Sequence, residues 1–160
     1  MPPHRFGAML SLLRQGLALE ADFGTRSLEA LLWIAEAVEE GVYVPGSLSP
    51  SGGALLFELA NPPLRAGAFR ALRATVDGQR IAPDRLRFRS GPASPWRTAE
   101  RIPAEGPLEL LPGRPTEFAV DAATVAVGRR ATIRLELESV AIPPLVWLEF
   151  SDYVRPRASP

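Results

Sequence analysis

Apolar residues recur at two different periods along this chain. From Met9 to Val38 the spacing is helical. Met9, Leu10, Leu12, Leu13 and Leu17 come first, with Gly16 as a weak point. A break follows at Asp22-Phe23-Gly24. Leu28, Leu31, Leu32, Ala35 and Val38 then form one stripe, with Glu29, Glu36, Glu39 and Glu40 off it. Thr25 or Ser27 supplies the N-cap and Gly41 the stop. Trp33 and Ile34 widen the apolar surface beyond that stripe, so the second helix is expected to pack against something larger. The segment predicts a helical hairpin.

Residues 45–53, Pro-Gly-Ser-Leu-Ser-Pro-Ser-Gly-Gly, read as a linker, because neither helix nor central strand accepts that density of Pro and Gly. Beyond it the period becomes two. Leu55, Phe57 and Leu59 alternate with Leu56 and Glu58. A strand is expected from about Ala71 to Asp77. Asp77-Gly78 then forms a two-residue hairpin turn, whose central positions need positive φ, and Gln79 to Ile81 pairs back. Further strands are expected at Arg85 to Arg89, Leu108 to Leu111, Thr116 to Asp121, Ala131 to Val140 and Leu145 to Ser151. In the cleanest of these, Ile133, Leu135 and Leu137 oppose Arg134, Glu136 and Glu138.

Short strands separated by turn signals predict a mainly β fold, an antiparallel, immunoglobulin-like β-sandwich preceded by the helical hairpin. The expected division is a helical segment at 1–44, a linker at 45–53, the sandwich at 54–154 and a flexible tail at 155–160.

Composition narrows the chemistry. The 160 residues include no cysteine and one histidine, His4. Disulfides, thiolate metal sites and a Cys nucleophile are excluded, and a histidine metal centre or a Ser-His-Asp triad is disfavoured. All 18 basic residues are Arg, which excludes Schiff-base and P-loop lysine chemistry. No apolar run reaches membrane-span length, and the start lacks a charged region followed by a long apolar one. The chain is expected to be cytoplasmic and to need no cofactor.

Charge is unevenly spread. Residues 1–60 carry three Arg and seven acids, 61–101 nine Arg and three acids, and 102–160 six Arg and eight acids. A positive middle between negative flanks suits a nucleic-acid surface. The interleaving in Arg85-Leu86-Arg87-Phe88-Arg89 favours instead a strand with one wet face, its cations packed beside the acidic segments.

Several groups carry candidate chemistry. Asp77, Asp84, Glu100, Glu105 and Glu117 are scattered acids without histidine partners, and a hard-cation site built from them alone is the weaker alternative to a solvated surface. Glu136 and Glu138 share a strand face, as acid/base work on a sugar requires, but Arg134 beside them favours an ion-paired face. Arg65 in Arg65-Ala66-Gly67 either grips an anion or clamps backbone carbonyls. Trp96, in Ala93-Ser94-Pro95-Trp96-Arg97, either folds over the sandwich end or, with Arg97, is offered to a protein partner or a sugar. Trp147 alternates away from Val146, Leu148 and Phe150, so its strand is apolar on both faces and predicts cover from a helix or a neighbouring subunit. Tyr153 is placed to serve the same contact.

The segment Leu55 to Phe88 carries a family resemblance. Phe57-Glu58-Leu59, then Pro63-Leu64-Arg65-Ala66-Gly67, then the run from Ala74-Thr75-Val76-Asp77-Gly78 through Pro83 to Phe88, resembles the small (β) subunit of bacterial C-glycoside deglycosidases. Those subunits begin a β-sandwich with a strand, a Pro-containing turn with an Arg-Gly element, and a hairpin of this type. The sequence departs from them before the Arg, where Pro63 and Leu64 stand in place of tyrosines, and in the helical stretch 8–40. The resemblance implies a non-catalytic partner of a larger barrel subunit. In that family the barrel holds the divalent metal and the catalytic histidine and cleaves the carbon–carbon bond of an oxidised C-glycoside. No catalytic residue carries over.

The expectation is therefore an accessory or assembly subunit that binds a protein partner, or itself, through the Leu28, Leu31, Leu32 and Trp33 stripe, Trp147 and the Arg-rich middle. A carbohydrate-binding or other ligand-binding module centred on Trp96 is the alternative. A self-sufficient hydrolase or lyase using Glu136 and Glu138, and a nucleic-acid binder, rank below it.

Overall fold

The computed structural model describes residues 43–60, 66–111, 113–121, 125–139 and 145–157. The expected helical hairpin, with Leu28, Leu31, Leu32 and Trp33, lies outside the described residues, as does Arg65.

In chain order the strands are β1 (Ser49–Ser51), β2 (Ala54–Leu59), β3 (Ala66–Val76), β4 (Gln79–Arg80), β5 (Leu86–Ser90), β6 (Arg97–Thr98), β7 (Leu108–Leu110), β8 (Thr116–Asp121), β9 (Arg130–Ser139) and β10 (Leu145–Tyr153). They form two antiparallel sheets, so the protein is mainly β. The first sheet runs β1-β2-β8-β5-β6. The second runs β10-β9-β3-β4, with β7 also paired to β3.

Alternation of side chains decides what each sheet buries. In the first sheet Phe57 stands opposite Phe118, and Phe118 opposite Phe88, so three aromatic residues cross the sheet on one level. All three are buried, and the Phe57 and Phe118 rings lie parallel with centroids 5.2 Å apart. In the second sheet Ile133, Leu135 and Leu137 of β9 are fully buried between Leu72, Ala74 and Val76 of β3 and Leu148 and Phe150 of β10. These inner faces belong to one core. Phe150 meets Phe57 edge-on at 5.3 Å, which ties the second sheet to the first.

The Asp77-Gly78 turn forms as expected, with φ of 50° and 80° at its two residues. Asp77 also acts at long range. Its backbone N–H donates to the Thr132 carbonyl and its carboxylate accepts from the Thr132 N–H, each at 2.8 Å. The turn is thereby tied to β9, which local sequence does not disclose.

One segment differs from expectation, and a second carries structure where the sequence set none. Residues 45–53 are more than a linker. Gly52 and Gly53, both at positive φ, close a hairpin between β1 and β2. Leu48 is fully buried in the core, and Tyr43 bridges to Leu59. Pro and Gly here make turns at a sheet edge. Residues 97–105, which show no clear period, contain β6, a 3-10 turn at Ala99–Arg101 and a helical turn at Ile102–Glu105, anchored by buried Ile102.

Candidate functional site

The Arg-rich strand β5 turns Leu86 and Phe88 inward and Arg87 and Arg89 outward. On that outer face Arg87 makes a two-pronged ion pair with Asp121, at 2.9 and 2.6 Å. Arg89 grips Glu117 in the same way, at 2.6 and 3.1 Å, and donates to the Pro92 carbonyl. Bidentate guanidinium–carboxylate pairs fix orientation as well as charge. The Trp96 ring stacks on this ladder, 4.5 Å from the Arg89 guanidinium and 5.2 Å from that of Arg87. The basic middle of the chain is thus paired with acids of its C-terminal part.

Trp96 and Arg97 are adjacent in sequence but do not form one platform. Arg97 lies over the core ring of Phe88, at 5.1 Å, donates to the Gly106 carbonyl and pairs with Glu105. Successive residues of an extended chain point to opposite sides.

Beside Trp96 lies a groove of about 410 Å³ on the outer face of the first sheet. Leu56 and Glu58 of β2, Ser49 of β1 and Glu117 of β8 line it. One wall is the segment Val44 to Ser47 and the other is Arg155 to Arg157. The first wall is pinned by Asp152. Its carboxylate accepts from the Tyr43 hydroxyl at 2.8 Å and from the Gly46 N–H at 2.7 Å. The Arg155 N–H donates to the Leu48 carbonyl at 2.9 Å, and the Glu58 N–H to the Ser47 hydroxyl at 3.0 Å. Arg155, the first residue of the expected flexible tail, is thereby hydrogen-bonded to the residue before β1.

Partial burial pushes the Asp152 carboxyl up. Hydrogen bonds from Gly46, Tyr43 and Tyr153, with the nearby Arg155 charge, outweigh that and hold it below the ordinary carboxylate range. Burial, together with the same contact, pushes the Tyr43 hydroxyl up, so it stays a proton donor.

The second sheet presents a different outer face. Trp147 lies there against the Arg134 guanidinium at 4.3 Å, and Tyr153, on the same side of β10, is 55% exposed. Arg134 also pairs with Glu136. A bulge between Phe69 and Ala71 brings Arg70 to Glu138, which Arg73 also contacts. The Arg70 hydrogen bond, followed by the Arg70 and Arg73 charges, keeps the Glu138 carboxyl below its ordinary range. With Arg134 on Glu136 and Arg70 and Arg73 on Glu138, the two carboxylates form an ion-paired strand face.

Trp96 and Trp147 therefore lie against the outer faces of different sheets. The residues that sequence reasoning missed are Tyr43, Ser47, Glu58 and Asp152. They come from segments far apart in the chain and match no motif. Among the described residues there is no group of three or more potential metal ligands, and no helix long and apolar enough to cross a membrane. No protein-family model and no curated protein matches this chain.

Proposed function

We propose that the chain is a non-catalytic accessory, or assembly, subunit with an immunoglobulin-like β-sandwich fold. Strand order supports the fold: β1-β2-β8-β5 and β10-β9-β3-β4 correspond in chain order to the A-B-E-D and G-F-C-C′ sheets of immunoglobulin domains. The observation that carries the function is the edge of the second sheet. Four strands, β1, β4, β6 and β7, are two or three residues long, which leaves little backbone for a foreign strand to pair with. β10 has nine residues, and among the described strands it pairs with β9 alone. It carries Trp147 and the exposed Tyr153 on one face.

The occupant is a second copy of this chain, added strand to strand. Two-fold antiparallel pairing centred on Phe150 sets Trp147 opposite Tyr153 twice and Glu149 opposite Ser151 twice, with no like charges facing. Aromatic cross-strand pairs of this kind contribute roughly 0.2–1 kcal/mol each. A larger catalytic subunit on the same edge is the occupant implied by the resemblance to the small subunit of C-glycoside deglycosidases.

Light scattering over a range of concentrations tests this. A dimer is expected, and the double substitution Trp147→Glu/Tyr153→Glu should return a folded monomer by placing new carboxylates beside Glu149. A wild-type monomer at every concentration overturns self-association. A monomer that also gains no mass when co-expressed with the neighbouring gene product overturns the subunit assignment.

A further inference from the structure

From the groove beside Trp96 we infer a binding site for a neutral carbohydrate of one or two rings, distinct from the β10 edge. Size is the first argument. About 410 Å³ falls within the range of small-molecule sites.

Chemistry is the second. The lining combines the apolar surfaces of Trp96, Leu56, Pro45 and Pro156 with hydrogen-bonding groups of every type: the hydroxyls of Ser47 and Ser49, the carboxylate of Glu58 and the guanidiniums of Arg155 and Arg157. Glu117 is already matched to Arg89. The lining holds both signs of charge, which disfavours a strongly charged ligand. A pyranose has an apolar face for an indole and hydroxyls that donate to a carboxylate and accept from a guanidinium.

Rigidity is the third argument. Three parts of the groove are held by contacts that do not involve a ligand. Arg89 and Arg87 carry the indole, Asp152 holds the Tyr43 to Gly46 wall, and the Leu48 carbonyl holds Arg155. A preorganised site binds with a smaller ordering cost.

The test uses the whole chain labelled with 15N and a panel of neutral disaccharides differing in linkage and in gluco, galacto or manno configuration. A proline-rich decapeptide and a uronic acid serve as competing probes. At least one disaccharide should bind with a Kd between about 10 μM and 10 mM and should shift the Trp96 indole N–H signal while leaving that of Trp147 in place. Trp96→Ala should weaken binding tenfold or more, Trp96→Phe less, and Glu58→Gln severalfold. Arg80→Ala, on β4 of the other sheet, should leave it unchanged. Trp96→Phe and Glu58→Gln keep the test informative if Trp96→Ala unfolds. Three outcomes overturn the assignment: no disaccharide shifts the Trp96 signal at about 10 mM, binding survives both Glu58→Gln and Trp96→Ala, or the decapeptide or uronic acid binds in place of the sugars. None of these bears on the mass measurement, so the two proposals fail separately.

Discussion

Replacing Asp152 by Ala removes a carboxylate that holds segment 43–46 against β10. The Tyr43 hydroxyl then loses its acceptor, and Tyr43 is only 7% exposed. The part-buried Gly46 N–H loses its acceptor as well. A buried donor left without a partner costs about 1–3 kcal/mol. The third bond, from the exposed Tyr153 N–H, is replaced by water at little cost. Partial solvent access at Gly46 places the total at about 2–4 kcal/mol for Asp152→Ala. Asp152→Asn keeps an acceptor and loses only charge assistance, about 1 kcal/mol. Tyr43→Phe keeps the ring stack on Phe150, 3.8 Å between centroids, and should also cost about 1 kcal/mol.

Urea unfolding followed by circular dichroism gives these values by linear extrapolation. The cycle combining Tyr43→Phe with Asp152→Ala should show a coupling of about 1 kcal/mol. The folded Asp152 carboxyl titrates below its unfolded value of about 3.9. Its charge-dependent contribution is therefore complete above that pH and is lost as the pH falls through the lower folded value. The difference between wild type and Asp152→Asn should shrink from pH 7 to pH 3. An Asp152→Ala chain within about 0.5 kcal/mol of wild type, or a gap that widens on acidification, refutes this account of the wall.

Other substitutions probe other layers of the structure. Phe57→Ala empties the centre of the core, where Phe118 and Phe150 both touch it, and should cost about 3–5 kcal/mol by the same unfolding assay. Arg89→Ala strips Glu117 of its partner where the two side chains are only 16% and 10% exposed; about 3 kcal/mol is expected, nearly independent of salt. Glu138→Gln, on the more open ladder of the second sheet, should lower stability far less than Arg89→Ala, and raising the salt concentration should erase the difference from wild type. Gly78→Ala forces a side chain into φ of 80° and should cost about 1–2 kcal/mol, although nothing lies within 4 Å of the new methyl group.

The sequence by itself determined what is local. Period-two alternation located β2, β5, β8, β9 and β10 to within a residue or two, because a strand with one buried face must alternate. Asp77-Gly78 disclosed its hairpin through backbone conformation alone. Composition removed thiol, lysine and multi-histidine chemistry before any fold was known. Tertiary structure decided everything that depends on which segments meet. Pro-Gly-Ser at 45–47 looks like a link, yet Asp152, more than a hundred residues away, makes it a wall. Arg87 and Arg89 look like solvated residues on a strand face, yet Asp121, Glu117 and Trp96 turn them into a rigid shelf. The groove draws on residues 44–58, Trp96, Glu117 and 155–157, and no periodicity links these positions. Strand order brings them together, and that order is set by how two sheets bury one shared core, a property of the whole chain that no short window contains.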